Sequence, residues 1–233
     1  MPEPFVFAPP PVVSVPVVGT ESRFPVHRVY CVGRNYEDHA KEMGHSGREP
    51  PFFFLKPADA VVVAEAGQTA CLPYPDLTQN LHHEVELVVA IGKGGQNISA
   101  EQAPWHIFGY AVGLDMTRRD LQNEMKKQGK PWCIGKAFEH ASPIGPITPA
   151  AQAGDIANAA IWLQVNGADR QRSHVNKLIW NIAETIEQLS KGWALQPGDL
   201  IYTGTPEGVG AVLRGDLLHG HVDGLTDIRL LVN

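Results

Sequence analysis

Short apolar segments separated by glycine and proline recur along most of the chain, and this pattern predicts a mainly β protein with helices on the outside. In EVELVVAI, residues 84–91, apolar residues occupy every second position, as in a strand that buries one face. The pair Asn166 and Gly167 predicts a tight hairpin turn, and another turn is expected at 222–225. The predicted strands are 28–32, 51–55, 60–64, 84–91, 108–114, 161–165, 200–202 and 228–232.

Two longer segments predict α-helices. The first begins at Thr117, where Thr117 and Asp120 resemble a capping box, and ends before Gly129. The second covers 177–190, with leucine and isoleucine along one stripe and Gly192 just past its end. A third, shorter helix over 35–43 is mostly polar, so it has little apolar surface to hold it in place.

The composition is that of a soluble globular protein. The chain has 233 residues, of which 43% are hydrophobic, and its net charge of −6 disfavours nucleic acid as a partner. No apolar segment is long enough to cross a membrane. The three cysteines, Cys31, Cys71 and Cys133, lack C-x-x-C spacing, which favours a cytoplasmic protein with reduced thiols.

The first twenty residues differ from the rest of the chain. They are apolar but interrupted by prolines, and they lack the basic start and continuous apolar core of a signal peptide. We therefore expect residues 1–20 to form an extended arm. No linker divides the remainder, so residues 21–233 are expected to form a single domain.

Two carboxylates stand at the start of an apolar strand. Glu84 and Glu86 are two residues apart, so in a strand they face the same way, roughly 7 Å apart. In FGYAVGLD, residues 108–115, Asp115 ends a face that otherwise carries glycine and alanine, which lets another strand or a ligand approach closely. If the two strands are neighbours, three carboxylates converge. Three hard oxygen ligands suit Mg²⁺, Mn²⁺ or Ca²⁺ better than zinc.

His82 is in phase with Glu84 and Glu86 along the same segment. It is therefore an alternative metal ligand. The competing interpretation gives His82 a packing role or a role in supporting a ligand.

Five ordered segments of this sequence resemble the fumarylacetoacetate hydrolase family. They are CVGRNYEDHAKEMG (31–44), LHHEVELVVAIG (81–92), GLDMTRRDLQ (113–122), WCIGKAF (132–138) and TGTPEGVG (203–210). Their order and spacing extend the resemblance over nearly the whole chain after residue 20. Together with REPPFFFLKPADAVV (48–62), the first segment is most similar to the short bacterial branch of fumarylpyruvate hydrolases.

This resemblance implies a twisted β-roll core, a homodimer, and Mg²⁺ or Mn²⁺ bound by Glu84, Glu86 and Asp115. Longer members of the family have a further aspartate ligand in their N-terminal half. The matching position in this sequence, near Val32, carries no carboxylate. Water or substrate is therefore expected to complete the metal coordination.

The short polar segment contains a possible acid–base pair. His39 and Glu42 are three residues apart, so on a helix they share a face. They fit either an exposed pair without a role or a histidine base oriented by a carboxylate. The resemblance implies the second interpretation, a catalytic dyad on a segment that closes over the substrate. It also places Lys136, otherwise readable as a surface lysine, in the active centre.

Four further residues are predicted to contact the substrate. The resemblance implies this role for Gln122 and Thr205. Arg34 and Arg118 are candidates for a distal carboxylate, because arginine binds carboxylates through two parallel hydrogen bonds. Each of the four also has an ordinary structural or surface interpretation. Lys56 receives no functional role.

The predicted activity is metal-dependent hydrolysis of the carbon–carbon bond of an acylpyruvate, a small keto acid, with fumarylpyruvate giving fumarate and pyruvate as the leading substrate. One alternative is an oxaloacetate decarboxylase, or an isomerase or decarboxylase of 2-hydroxyhepta-2,4-diene-1,7-dioate, on the same fold. A third interpretation is a non-catalytic metal- or ligand-binding protein. Binding alone would require none of His39, Glu42 and Lys136.

Overall fold

The computed structural model describes residues 4–37 and 48–233 of the chain. In this part the protein is mainly β, as predicted, and the strands form two large sheets and two small ones. In chain order the strands are β1 (Ser14–Pro16), β2 (Arg23–Pro25), β3 (Val29–Gly33), β4 (Phe52–Lys56), β5 (Val61–Val63), β6 (Ala70–Leu72), β7 (Leu81–His83), β8 (Val85–Ile91), β9 (Ile107–Leu114), β10 (Thr117–Arg118), β11 (Ser142–Ile144), β12 (Thr148–Pro149), β13 (Ala160–Val165), β14 (Ala168–His174), β15 (Leu200–Tyr202), β16 (Gly210–Ala211), β17 (Leu217–Val222) and β18 (Ile228–Val232).

The described α-helices are few and lie between strands. They are α1 (Arg119–Gln128), α2 (Cys133–Lys136) and α3 (Ile182–Gly192). Short 3-10 turns occur at Ala58–Ala60, Ala103–His106, Ala150–Gln152, Ile156–Asn158 and Val175–Lys177. Within the described residues, no helix has both the length and the apolar character needed to cross a membrane.

The largest sheet has the strand order β4-β3-β15-β8-β9-β11-β5, and β12 also pairs with β9. The second large sheet has the order β14-β13-β17-β18-β6. The main apolar core lies between them. From the first sheet it takes Val85 and Leu87 of β8 with Val112 and Leu114 of β9, and from the second it takes side chains of β13, β17 and β18.

The opposite face of β8 is also buried. Val88 and Ala90 pack with Cys31 of β3 and with the hairpin formed by β1 and β2. A third cluster lies where Ile186 and Leu189 of α3 cover Val89 of β8. Because β8 is covered on both sides, all seven of its residues are buried, including Glu86. A carboxylate in such a strand needs a specific polar environment.

The predicted strands are present, with ends within one residue of the predicted ones. The difference at residue 84 matters, because Glu84 is a break between β7 and β8 rather than a part of either strand. The predicted turns are also present. Asn166 and Gly167 join β13 to β14 with φ of 53° and 79°, and Gly224 lies in the turn before β18 with φ of 81°.

Atoms of neighbouring strands pack closely against the face of β9 that carries glycine. A Cβ atom on Gly109 would lie 2.3 Å from the carbonyl oxygen of Thr148 in β12. One on Gly113 would lie 2.6 Å from Val88 and 2.7 Å from the ring of Tyr202. These small residues therefore serve strand packing, which is one of the two uses that the sequence left open.

The predicted start of the first helix is wrong. Thr117 belongs to β10, which pairs with β7, and its hydroxyl donates to the carbonyl oxygen of Asp115 at 3.1 Å. Asp120 accepts from the hydroxyl of Thr78 at 2.6 Å, so no capping box with Thr117 forms. The helix ends as predicted, with Gly129 in the left-handed conformation at φ 63°.

The other two helix predictions also need correction. The helix predicted over 177–190 begins at Ile182, because Asn181 and Glu184 form a capping box there, and it includes Gly192. Of the short helix predicted over 35–43, residues from 38 onward lie outside the described residues. Asn35 and Tyr36 are not helical, and Tyr36 forms a β-bridge with Leu178, whereas Glu37, within the predicted range, is helical.

A buried glutamine on β14 joins the second large sheet to the strands that carry Glu84 and Glu86. The side-chain oxygen of Gln171 accepts from the Val85 amide at 3.0 Å and lies 2.9 Å from His83 Nδ1. Its side-chain nitrogen donates to Thr205 Oγ1 at 2.7 Å and to the Pro206 carbonyl at 2.9 Å. One side chain thus fixes the relative positions of three segments.

Replacing this glutamine is expected to destabilise the fold. Gln171→Leu leaves the Val85 amide and the Pro206 carbonyl without these partners, so the free energy of unfolding should fall by about 2–4 kcal/mol in denaturant titration. Gln164→Leu is the matched control, since the Gln164 side chain on neighbouring β13 donates to exposed Asp169 instead. Equal losses in the two variants would contradict the joining role of Gln171.

Candidate active site

Three carboxylates converge where β8 and β9 meet. The strands are antiparallel neighbours that set Glu86 opposite Gly113, and the Asp115 amide donates to the Glu84 carbonyl at 2.9 Å. Glu84, Glu86 and Asp115 are all buried, and each offers one oxygen within 4.8 Å of the others. The break at Glu84 lets its side chain join the other two.

A lysine lies between two of these carboxylates. Lys136 of α2 is buried, and its Nζ donates to Glu84 Oε2 at 2.9 Å, to Asp115 Oδ2 at 2.7 Å and to Thr117 Oγ1 at 2.7 Å. Burial lowers the pKa of Lys136, but Asp115 and Glu84 outweigh it, so the pKa is raised overall. Lys136 is therefore an ammonium group, suited to stabilising negative charge and unsuited to accepting a proton.

Two further cations contact the same carboxylates. Arg119 Nη2 forms an ion pair with Glu84 Oε1. Lys56 Nζ lies 2.6 Å from Asp115 Oδ1, but the angle at this contact is not that of a hydrogen bond, and the ammonium donates instead to the Ala141 and Met116 carbonyls at 2.5 and 3.2 Å. Arg119 is therefore paired with Glu84, and Lys56 with Asp115.

Glu86 differs from the other two carboxylates. Its Oε2 accepts from the Gly204 amide at 2.8 Å, but among the described residues no cationic side chain lies within 4.0 Å of it. Burial, followed by the charges of Asp115 and Glu84, raises the pKa of Glu86 well above its ordinary range. A divalent cation would relieve this cost, and three convergent carboxylate oxygens are a donor set that fits Mg²⁺ or Mn²⁺.

The amide that contacts Glu86 comes from a position that requires glycine. Gly204 has φ of 102°, and a Cβ atom there would lie 2.8 Å from the Cβ atom of Asn35. The glycine in TGTPEGVG thus lets the chain pass beside Asn35 and turn an amide toward the carboxylate.

One cavity brings most of the predicted residues together. Its lining includes the three carboxylates, Lys136, Gln122, Thr205 and Arg34, as well as Val32, at the position where longer relatives are expected to have a fourth ligand. Thr205 Oγ1 donates to the Val85 carbonyl at 2.8 Å and accepts from Gln171, so its hydroxyl proton is already used. A substrate can reach only its remaining lone pair or nearby amides.

Of the two consecutive arginines, the structure brings the one that was not predicted into the cavity. Arg118 ends β10, and its guanidinium lies 4.3 Å from the ring centroid of Phe138, outside the cavity lining. Arg119 begins α1, lines the cavity and donates to Gln122 Oε1 at 2.6 Å. The strand-to-helix change between the two positions sends their side chains apart. The helix predicted from Thr117 concealed this difference.

His82 supports Arg119 and is not a member of the carboxylate group. Arg119 Nε donates to His82 Nδ1 at 3.4 Å, while His82 Nε2 lies 3.0 Å from Asn80 Oδ1. Burial, assisted by the charge of Arg119, lowers the pKa of His82 to about 4, so the ring is neutral. This position favours the supporting role over the ligand role.

Sequence reasoning missed three other residues of the site. Lys56 is fully buried beside Asp115, and the signal available was a lysine directly after the apolar segment FFFL. Lys126 and Trp132 line the cavity with Arg34. Lys126 lies one helical turn after Gln122, a spacing that places both on one face of α1. His39 and Glu42 lie outside the described residues.

A family profile and a solved crystal structure both match this chain over most of its length. The profile of the fumarylacetoacetate (FAA) hydrolase C-terminal domain matches residues 28–233. The crystal structure of fumarylpyruvate hydrolase from Pseudomonas aeruginosa, in complex with Mn²⁺ and pyruvate, has a TM-score of 0.96 and 58% identity, and covers 98% of this chain and 99% of that one.

Two relatives with different activities are similar over most of their length. Fumarylpyruvate hydrolase of Ralstonia sp is 50% identical over 184 residues, which are 79% of this chain and 93% of the relative. The mitochondrial oxaloacetate tautomerase of Rattus norvegicus is 41% identical over 204 residues, 88% of this chain and 90% of the relative. With the profile match and the shared fold, these similarities show that the chain belongs to the fumarylacetoacetate hydrolase family.

Proposed function

We propose that this protein is a divalent-metal-dependent hydrolase that cleaves the carbon–carbon bond of an acylpyruvate, with fumarylpyruvate giving fumarate and pyruvate as its leading substrate. The observation that carries the proposal is the buried group of Glu84, Glu86 and Asp115 with protonated Lys136 between two of its members. The two fumarylpyruvate hydrolases, at 58% and 50% identity, support the choice of substrate.

Glu84, Glu86 and Asp115 would hold Mg²⁺ or Mn²⁺. When bound there, a divalent cation would supply the positive charge that attracts the keto acid end of the substrate and polarises its carbonyl group. In the relative from Pseudomonas aeruginosa, Mn²⁺ and pyruvate are present together. The charge also offsets the cost of burying Glu86.

In the proposed hydrolysis, the oxygen of a water molecule adds to the acyl carbonyl carbon, and the adjacent carbon–carbon bond breaks. The electron pair of that bond remains on the pyruvate fragment as an enolate, which takes up a proton to give pyruvate. Lys136 provides a fixed positive charge for the oxyanion or the enolate. Gln122, which accepts from Arg119, and Thr205 orient the substrate within the cavity.

The water molecule needs a base. We assign this role to His39, oriented by Glu42, on the basis of the matching family segment and the ordinary pKa range of histidine. Neither His82 nor Lys136 supplies an alternative, because His82 is engaged by Arg119 and Asn80, and Lys136 is protonated.

A homodimer and a cytoplasmic location are part of the same proposal. Cys31, Cys71 and Cys133 are all free thiols in the structure, which supports a reducing compartment. We also propose that residues 21–233 act as one catalytic domain, with residues 1–20 as an arm. Light scattering of the purified protein tests the dimer, for which the mass should be twice 25.4 kDa.

A second candidate activity is enolisation or decarboxylation of oxaloacetate. The 41% identity to an oxaloacetate tautomerase favours it, and an ammonium group beside an enolate serves that chemistry equally well. A substrate panel of fumarylpyruvate, acetylpyruvate and oxaloacetate with Mg²⁺ or Mn²⁺ separates the two. Turnover of oxaloacetate without cleavage of either acylpyruvate would replace the first proposal with the second.

Neutralising Glu86 should remove metal binding and stabilise the metal-free protein. In Glu86→Gln the side chain can still accept from the Gly204 amide, but it can no longer ionise in this buried position. We expect Mn²⁺ affinity to fall by more than about 100-fold and the free energy of unfolding of the metal-free protein to rise by about 1–3 kcal/mol at neutral pH. Calorimetry and denaturant titration measure both, with exposed Glu21→Gln as the control. Unchanged Mn²⁺ affinity would remove Glu86 from the ligand set.

The same carboxylate predicts a pH dependence. Because the pKa of Glu86 is raised above its ordinary value of 4.5 only in the folded state, the folded protein keeps a proton that the unfolded chain has released. This contribution to the free energy of unfolding of the metal-free protein is complete below about pH 4.5 and is lost as the pH rises through the folded-state pKa. The difference between wild type and Glu86→Gln should follow this course, and parallel pH profiles would contradict it.

The assignment of His39 predicts a separation of binding from catalysis. His39→Gln should keep Mn²⁺ affinity within a factor of about two, while hydrolysis falls by about 10²–10⁴-fold, the usual contribution of a positioned base. The matched control is His174→Gln, at an exposed position on β14. Full hydrolysis by His39→Gln would take the dyad out of the mechanism.

A further inference from the structure

Two of the cations that line the active-site cavity have no carboxylate partner among residues 4–37 and 48–233. Lys56, Arg119 and Lys136 are each in contact with Glu84 or Asp115. Arg34 and Lys126 also line the cavity, but within the described part of the chain neither has a carboxylate oxygen within 4.0 Å. Positive charge in this part of the cavity is therefore available to a ligand.

Both cations lie beside a pair of packed aromatic rings, Phe52 and Trp132. The Arg34 guanidinium lies 4.8 Å from the ring centroid of Phe52, and Lys126 Nζ lies 5.9 Å from that of Trp132. The two rings pack edge to face, with centroids 5.3 Å apart. Arg34 also has φ of 55°, an uncommon backbone conformation for arginine that directs this side chain. The geometry thus brings two like charges into one neighbourhood.

Those charges interact unfavourably in the absence of an anion. Burial, then the positive charges of Arg34 and Arg119, lower the pKa of Lys126. Arg119 is already paired with Glu84, so Arg34 is the unpaired neighbour. An anion placed between Arg34 and Lys126 would remove this repulsion and gain two charge-assisted hydrogen bonds.

Arg34 lies where the cavity meets an apolar groove, and Lys126 lines the cavity. Arg34, Phe54, Trp132 and Lys136 line both spaces, and the groove continues past Phe52 and Pro131. A substrate with its pyruvoyl end at Glu84, Glu86 and Asp115 would extend its acyl chain along these aromatic rings. A planar unsaturated chain suits such walls, because flat groups stack on aromatic rings.

We infer that Arg34 and Lys126 bind a second, terminal carboxylate of the substrate and so select dicarboxylic acylpyruvates over acylpyruvates that end in a methyl group. This inference rests on the proposed function and specifies the substrate class of that site. Arginine supplies a planar two-hydrogen-bond fork, and lysine supplies a flexible point charge that adapts to chain length. A substrate that lacks the terminal carboxylate would make neither charge-assisted contact, so it should be bound less tightly.

The kinetic test compares fumarylpyruvate with acetylpyruvate. For Lys126→Met and Arg34→Gln, kcat/KM for fumarylpyruvate should fall by at least about 10-fold, the scale of one charge-assisted contact, while kcat/KM for acetylpyruvate stays within about two-fold. Lys126→Arg should restore most of the preference. The control is Lys127→Met, at the next, exposed position of α1 and outside the cavity lining. Equal losses for both substrates would overturn the inference.

A binding measurement tests the same point without turnover. We would titrate the Mn²⁺-loaded protein with 2-oxoheptanedioate and with 2-oxoheptanoate, which share the 2-oxo acid end and the chain length and differ in the terminal carboxylate. Wild type and Lys127→Met should prefer the dicarboxylate by at least about 10-fold, and Lys126→Met and Arg34→Gln should lose that preference. Equal affinity of wild type for the two ligands would refute the inference.

The two measurements distinguish the possible failures. If wild type, Lys126→Met and Arg34→Gln all cleave fumarylpyruvate and acetylpyruvate with the same kcat/KM, the proposed hydrolase activity stands and the carboxylate site is rejected. Absence of acylpyruvate cleavage, with a dicarboxylate preference that depends on Arg34 and Lys126, would reject the hydrolase and keep the carboxylate site.

Discussion

The burial of Glu86 in a strand covered on both faces is the constraint on which the rest of the active centre depends. Glu84 and Asp115 have cationic neighbours in Arg119, Lys136 and Lys56, whereas in the described part of the chain Glu86 accepts from the amide of Gly204 and has no cationic neighbour within 4.0 Å. A carboxylate with one neutral donor and two like charges nearby is costly to keep ionised. Burial of Glu86 therefore destabilises the metal-free fold. A divalent cation bound to this carboxylate would remove the cost and would supply the positive charge that the proposed reaction needs. Stability of the metal-free fold and function of the loaded site are thus opposed at one residue.

The surrounding scaffold fixes this centre through backbone and polar contacts. The register of β8 and β9 sets Glu86 opposite Gly113 and brings Asp115 beside Glu84. Gln171 reaches from the second large sheet and holds the Val85 amide and Thr205 together. Because these contacts come from separate segments, the site forms only when the two sheets pack. A rigid support of this kind is what a metal centre needs to keep its ligands at fixed separations.

Period-two alternation was enough to predict the strands, because strand geometry ties side-chain direction to sequence position. The convergence of Glu84, Glu86 and Asp115 was predicted on the condition that the two strands are neighbours, and Glu84 joins the group from a break between β7 and β8 rather than from within the predicted strand. The same reasoning failed at Arg118 and Arg119. Their side chains separate at a strand-to-helix change, and the predicted helix began too early, at Thr117, whose hydroxyl bonds to Asp115. Gln171 was beyond prediction for another reason. Its partners lie far along the chain, and a single sequence carries no signal for long-range polar contacts of this kind.

The cations of the cavity fall into two groups according to their carboxylate partners. Lys136 and Arg119 are bound to the carboxylates that would hold the metal, so they belong to the chemistry that metal-bound keto acids share. Arg34 and Lys126 have no such partner in the described chain; Arg34 lines both the cavity and the aromatic groove, and Lys126 lines the cavity. If Arg34 and Lys126 bind the far end of the substrate as proposed, changes there should alter substrate choice more than metal binding, because neither side chain pairs with Glu84, Glu86 or Asp115 among the described residues. Charge pairing thus divides the cations of the cavity into a group that contacts the carboxylates and a group that does not.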